Sequence, residues 1–204
     1  MDELLLLALC APSGAGKTTL SRCIIEAYPG LRFSVSHTTR AKRGGEVDGI
    51  DYHFVGRGAF EQLVDAGQFA EWAEVHGNLY GTSLAELDRA KSDGKMGLIF
   101  DIDHQGARQL RAKLPRAASI FVLPPSMGEL RRRLTGRATD SPDAIERRLG
   151  AAREEISHYG FFDYLVVNDE LERAKHELLS IIEAEQARRW RRASVAEAIL
   201  RSSA

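Results

Sequence analysis

Leu4-Leu5-Leu6-Leu7-Ala8-Leu9-Cys10 runs without a polar residue into Ala11-Pro12-Ser13-Gly14-Ala15-Gly16-Lys17-Thr18. A short apolar run stopped by Pro12 and Gly14 has the pattern of a strand buried on both faces of a parallel sheet. Beyond the loop, Thr18 to Tyr28 carries Leu20, Cys23, Ile24 and Ala27 at helical spacing and stops at Pro29-Gly30. The order is strand, Gly-rich loop, helix. In that setting Gly14, Gly16, Lys17 and Thr18 fill the places of a P-loop. Glycines let successive N–H groups converge on phosphate oxygens, the lysine bridges the β and γ phosphates, and the next hydroxyl binds magnesium. The helix starting near Lys17 adds its positive N-terminal end to the same site. The pattern G-x-x-x-x-G-K-[ST] is broken only at its first glycine, which is Ala11 here; a methyl group is a small change where φ is negative.

Outward from this loop the rhythm continues. Gly97 to Phe100 before Asp101, Ser119 to Leu123 before Pro124-Pro125, and Tyr164 to Val167 before Asn168-Asp169 read as further buried strands. Helical patterns cover Gln105 to Leu114, Ser126 to Leu134, Ala144 to Ser157 and Leu171 to Arg189. Alternating strands and helices predict a doubly wound α/β core. The expected P-loop core is 1–35, 84–126 and 159–187. Ser36 to Gly81 departs from the rhythm, with short alternating segments such as Asp51-Tyr52-His53-Phe54-Val55, and reads as a small, partly β excursion over 36–83. Residues 130–153 hold seven arginines, at 131, 132, 133, 137, 147, 148 and 153, and 127–158 reads as a helical hairpin or lid. The tail 188–204 begins basic around Trp190 and reads as a solvated helix end.

Composition narrows the class. At 204 residues, with 44% apolar and 28% charged, the chain suits one globular domain with small moving parts. Its 28 basic and 29 acidic residues nearly cancel, so no overall field draws it to nucleic acid or membrane, and any anion site is local. Cys10 and Cys23 make neither a disulfide framework nor a metal cluster and read as core residues in a reduced cytosol. Asp2 and Glu3 argue against a signal peptide, and the run from Leu4 is too short to span a bilayer, so a cytoplasmic location is expected. The histidines at 37, 53, 76, 104, 158 and 176 show no metal-ligand spacing. Oligomeric state is left open, a homo-oligomer included.

Chemistry-bearing residues cluster in two places. Asp101 and Asp103 close a strand expected beside the first; an acid there holds magnesium through water, with Thr18, while its neighbour faces a second substrate. The alternative is a pair of helix-capping carboxylates. Between loop and acids, Arg40 and Arg43 can present two guanidinium forks to one phosphate, with Tyr52 and Tyr80 adding hydroxyls. Guanine offers donors at N1 and N2 and an acceptor at O6. Glu71 with Ser36 or Thr82 supplies a carboxylate and a hydroxyl to match, Asp103 being a second acceptor, and adenine would leave the carboxylate unpaired. No nucleophile with an adjacent base appears, which suits direct in-line phosphoryl transfer.

These motifs together resemble the guanylate kinase family from about Leu5 to about Glu185. They are the P-loop, Ser-His-Thr-Thr-Arg at 36 to 40, Gly45-Glu46-Val47, Asp51-Tyr52, Glu71-Trp72, Asn78-Leu79-Tyr80-Gly81, Asp101-Ile102-Asp103, Gly136-Arg137 and Val167-Asn168-Asp169. Ala11 looks like the Ala-Pro-Ser-Gly form of bacterial members. The resemblance implies a P-loop nucleoside monophosphate kinase fold and transfer of the ATP γ-phosphate to GMP, and to dGMP, with Mg2+. It implies ATP binding by Ala11, Pro12, Ser13, Gly14, Ala15, Gly16, Lys17, Thr18, Thr19 and Asn168. It implies a GMP phosphate held by Arg40, Arg43, Tyr52 and Tyr80, and guanine read by Ser36, Glu71, Thr82 and Asp103. Lys17 and the lid residues Arg133, Arg137 and Arg148 would then serve the transferring phosphoryl group. Lys42 stands where proline is common, and Leu79 where tyrosine is frequent, both with a bearing on GMP affinity. Two other readings compete: a ribose-phosphate kinase of related fold, which would lack the guanine-reading groups, and a non-catalytic interaction module, which would not need an intact P-loop.

Overall fold

The computed structural model describes residues 4–75, 77–136 and 141–202. Strand β1 (Leu5–Cys10) leads through the Gly-rich loop into helix α1 (Lys17–Ala27) and strand β2 (Leu31–Phe33). Then come β3 (His37–Thr38), β4 (His53–Phe54), α2 (Arg57–Asp65), β5 (Phe69–Val75) and β6 (Asn78–Ser83). Helix α3 (Ala85–Ser92), β7 (Gly97–Asp101), α4 (His104–Lys113) and β8 (Ala118–Leu123) return to the core. The chain continues through α5 (Met127–Thr135), α6 (Pro142–Ser157), a single 3₁₀ turn (Tyr159–Phe161) and β9 (Tyr164–Val167), then α7 (Leu171–Gln186) and α8 (Arg189–Ser202).

Five strands form one parallel sheet in the order β2-β7-β1-β8-β9. All six residues of β1 are buried, and their alternation explains why. Successive side chains of a strand point to opposite faces. Leu5, Leu7 and Leu9 pack with Leu20 and Ile24 of α1 and Leu178 and Ile182 of α7. Leu6, Ala8 and Cys10 pack on the other face with Phe100, Phe121, and Ala107 and Leu110 of α4. Burying each leucine or isoleucine contributes about 1.5–3 kcal/mol, so a run apolar at every position is what a central strand with helices on both sides requires. The chain leaves β1 toward β2 on one side and later fills β8 and β9 on the other, and the crevice at the strands' carboxyl ends lies at that reversal.

The expected excursion is a second, four-stranded sheet of order β4-β3-β6-β5, antiparallel except for β3 with β4. Phe60 of α2, Phe69 and Leu79 form its own core. Its outer strand is fastened to α4: the Gln109 side chain bonds both Trp72 N (3.1 Å) and Trp72 O (2.6 Å), and Lys113 Nζ donates to Phe69 O at 2.6 Å. Helices α5 and α6 pair through Leu130, Leu134, Ile145, Leu149 and Ala152. Each begins on a serine cap, Ser126 accepting from Glu129 N and Ser141 from Ala144 N, with Pro142 at the first turn.

The structure departs from expectation in three places. Leu31–Phe33 forms the edge strand β2, too short to show a pattern in sequence. The single helix expected over Leu171 to Arg189 is two: α7 ends at Gln186, and α8 starts at Arg189 after Arg188 turns back to bond Glu185 (2.8 Å) and the Tyr164 hydroxyl (3.2 Å). Cys10 is buried, but Cys23 is only half-buried, on the flank of α1.

Candidate active site

The Gly-rich loop wraps one end of a cleft of about 440 Å³. Ala11, Pro12, Ser13, Gly14, Gly16, Lys17, Thr18 and Thr19 line it, while Ala15 is fully buried beneath. Gly16, which caps α1, has φ +97°, and a Cβ there would lie 2.1 Å from Asn168 Nδ2. Only glycine meets both demands, the left-handed backbone and the close approach. Asn168 does not line the cleft; its Nδ2 donates to Ala15 O at 2.7 Å and so braces the loop from behind. Lys17 forms an ion pair with Asp101, whose strand β7 lies beside β1 in the register Leu9 to Asp101. Burial disfavours the Lys17 charge, but the Asp101 carboxylate outweighs it and leaves the ammonium's pKa raised.

The other end of the cleft belongs to the small sheet. Ser36, Tyr52, Glu71, Ala73, Val75, Tyr80 and Gly81 line it, with Asp101, Ile102 and Asp103 across the floor. Glu71 sits just after a register shift in β5, and such a bulge re-aims a side chain. It is 4% exposed; Oε1 accepts from Thr82 N at 2.9 Å, and Oε2 lies where a Cβ on Gly106 would be 2.5 Å away. Gly106 thus leaves room in α4 for the carboxylate. Burial pushes the Glu71 pKa up to about 7, against the lowering effect of the Thr82 hydrogen bonds. Thr82 is wholly buried and does not itself line the cleft; its hydroxyl meets that of Ser36, which does, at 3.0 Å.

Three sequence expectations take a different form here. Asp103 realises the capping alternative, Oδ1 accepting from Gly106 N at 2.8 Å, yet its carboxylate also borders the cleft. Arg40 and Arg43 do not line the cleft as a pair of open forks. The Arg40 fork is held by Glu46 (2.7 and 3.1 Å), and the Arg43 side chain is exposed while its backbone N donates to Glu46 at 2.7 Å. Leu79 is buried in the core of the small sheet, so its bearing on the cleft is through packing.

The lid lies on the loop. A Cβ on Gly14 would meet Leu134 and Leu130 of α5 at 2.9 and 3.0 Å. Arg148 donates to Ser13 Oγ at 2.6 Å. Arg133 does not line the cleft; it reaches Asn168 O (2.9 Å), Ala15 O (3.5 Å) and Glu129, joining the lid to the loop and to the end of β9. Arg131 and Arg132 pair with Glu146 and Glu129 at the surface, as expected of solvated arginines. Arg137 lies outside the described residues.

A family profile described as guanylate kinase matches residues 4–185. The chain belongs to the guanylate kinase family. It is 53% identical to the guanylate kinase of Geobacter metallireducens over 189 residues, 93% of each chain. It is 54% identical to that of Anaeromyxobacter dehalogenans over 207, covering 98% of this chain and 91% of the other. Its fold matches the crystal structure of guanylate kinase from Anaplasma phagocytophilum at 36% identity, with a TM-score of 0.72 over 92% of this chain and 88% of that one. The architecture is the P-loop nucleoside monophosphate kinase fold.

Glu155 is a titratable residue of the guanylate kinase cleft that sequence reasoning passed over. It projects from α6 into the cleft, and burial raises its pKa to about 6. A signal was there: positions 148, 152 and 155 share one helix face, so an Arg148 turned toward the loop brings Glu155 with it. Among the described residues no three metal-binding side chains come together. Thr18 and Asp101 nevertheless offer hard oxygen donors on the cleft wall, which suits an ion that arrives on a nucleotide's phosphates and keeps most of its waters. No described helix is long and apolar enough to cross a membrane.

Proposed function

We infer that this chain transfers the γ-phosphate of ATP to GMP, giving ADP and GDP. The observation that carries the reading is one cleft with a P-loop at one end and, at the other, the buried Glu71 carboxylate and the Ser36 hydroxyl, which Thr82 backs from beneath the lining. Backbone N–H groups of Ser13 to Thr18 and the Lys17 ammonium take the phosphates of ATP, with Thr19 and the Asn168-braced loop completing that side. The Thr18 hydroxyl and, through water, Asp101 would hold Mg2+, which neutralises phosphate charge when bound. Ionised Glu71 accepts from guanine N1–H and N2–H, Ser36 and Thr82 serve O6, and Asp103 stands beside them. Arg40, Arg43, Tyr52 and Tyr80 take the GMP phosphate.

Transfer is direct and in line. Arg148, Arg133 and Arg137 belong to the lid that compensates charge on the equatorial oxygens, and lid closure excludes water. The working parts are a P-loop core (1–35, 84–126 and 159–187), a GMP-binding part (36–83), a lid (127–158) and a tail (188–204). dGMP, which differs only at a ribose carbon, is a second acceptor, and the setting is cytoplasmic. The test is an acceptor panel. With Mg2+ and ATP, ADP formation should rise on adding GMP and stay near background with AMP, CMP or UMP; equal rates for all four would overturn the assignment.

A further inference from the structure

Glu46 has no place in the roles above, yet the acceptor loop is built around it. Arg43 O accepts from Glu46 N (3.2 Å) across a tight turn in which Gly45 takes φ +88°. That turn folds the Glu46 carboxylate back over the residues before it. Oε1 and Oε2 accept from Arg40 Nη2 and Nη1 at 2.7 and 3.1 Å, an end-on bidentate pair, and Oε2 also accepts from Arg43 N at 2.7 Å. Arg40 is fixed from other sides as well. Its Nη1 donates to Ala41 O (2.8 Å), its backbone N to Thr38 Oγ1 (3.1 Å), and its guanidinium carbon lies 5.3 Å from the centre of the Tyr52 ring.

An arginine presents two bidentate edges, the end-on pair of Nη atoms and the side pair of Nε–H with Nη2–H. Glu46 and Ala41 occupy the end. The side edge is the one that Glu46 and Ala41 do not take; the Tyr80 side chain also hydrogen-bonds the guanidinium, and the Tyr52 and Tyr80 rings, 6.0 Å apart, border the cleft. A carboxylate on one edge of a guanidinium leaves it cationic and restricts its rotamers, so less side-chain entropy is lost when an anion binds the other edge.

We propose that Glu46 is a positioning residue of the acceptor-phosphate site, holding Arg40 end-on so that its side edge faces the phosphate of GMP. The proposal rests on the reading of Arg40 as a phosphate ligand. Glu46 acts through Arg40 and touches no substrate atom. A carboxylate that merely stood in for the missing phosphate would behave in the opposite way, because removing it would free Arg40 and tighten GMP.

A double-mutant cycle separates these cases. Glu46→Gln keeps the size of the side chain and removes the charge that holds Arg40. It should lower kcat/KM for GMP roughly tenfold or more, chiefly through KM, because hydrogen bonds to charged groups are at stake. KM for ATP and the calorimetric affinity for guanosine, which has no phosphate, should stay unchanged. In an Arg40→Ala background the same substitution should change kcat/KM for GMP less than about twofold. The proposal is overturned if Glu46→Gln leaves KM for GMP unchanged or lowers it. It is equally overturned if the full effect persists without Arg40, or if guanosine binding falls along with GMP binding. Arg40→Ala alone tests the underlying reading: if that variant uses GMP normally, Arg40 is not the phosphate ligand.

Discussion

Glu71 concentrates the conflict between stability and function in one side chain. Its carboxyl is buried with a pKa raised from 4.5 to about 7, so the folded protein holds its proton more tightly than the unfolded chain. A raised acid pKa favours folding below the unfolded value, and that contribution is lost as pH climbs from 4.5 through 7. The loss is on the order of 3 kcal/mol when complete. Glu71→Gln, neutral throughout, should therefore melt higher than the parent at pH 8, with the gap closing toward pH 4.5; calorimetry at several pH values checks it. On the proposed reading the same variant would lose a charged acceptor for guanine, so kcat/KM for GMP should drop roughly 10- to 100-fold, from the 1.5–3 kcal/mol of a charged hydrogen bond. KM for ATP should not move. A variant that is more stable and less active would mark this carboxylate as retained for recognition. In the parent, KM for GMP should rise as pH falls below about 7, since the protonated carboxyl offers guanine a donor where an acceptor is needed.

At the scale of elements, α8 is the clearest test of what the core needs. The helix buries no residue, and its Val195, Ile199 and Leu200 are 57, 61 and 76% exposed. Near its start Trp190 meets Arg116, which precedes β8, at 5.0 Å and its own neighbour Arg191 at 4.2 Å. An exposed cation–π contact is worth about 0.5–1 kcal/mol, which in a chain of this size is a Tm loss of about 2–4 °C per kcal/mol. Ending the chain after Arg188 should cost no more than about 4 °C and leave kcat and both KM values unchanged. The elements legible in the sequence were those whose pattern repeats. β1 announced itself because every position is apolar, and α4 to α7 because a buried stripe recurs at helical spacing. β2, three residues long, and the break at Ala187 carry no such period, so they were not legible. The cleft followed the same rule. The P-loop lining was readable because glycine and lysine at fixed offsets have one main use. Glu46, Glu155 and the bracing role of Asn168 were not, because a carboxylate's partner across a turn, or an amide's partner across the molecule, is set by tertiary packing.

For the whole molecule, the decisive feature is that three parts of the chain share one cleft and that its described lining is richer in carboxyl groups than in cations. Among the described residues Glu71, Asp101, Asp103 and Glu155 line it, and, of the basic side chains, Lys17, held by Asp101. Two phosphorylated nucleotides add further negative charge at close range, so without a divalent ion each should oppose the other. On the proposed reading, Mg2+ carried on ATP would draw in the Thr18 and Asp101 oxygens and leave Lys17 free for phosphate, and GMP would engage Arg40. Each ligand would then favour the same closed arrangement of lid and acceptor sheet, which would make the coupling positive and, by linkage, equal in both directions. A ligand at 100 times its Kd adds about 2.7 kcal/mol to stability, or a Tm rise of about 5–11 °C here. Differential scanning calorimetry with GMP and a non-hydrolysable ATP analogue should therefore give a rise with both that exceeds the sum of the two single rises when Mg2+ is present. In EDTA the combined rise should fall short of the sum of the single rises measured in EDTA. Simple additivity in both buffers would mean that the two ends of the cleft bind independently, and that closure is not what links them.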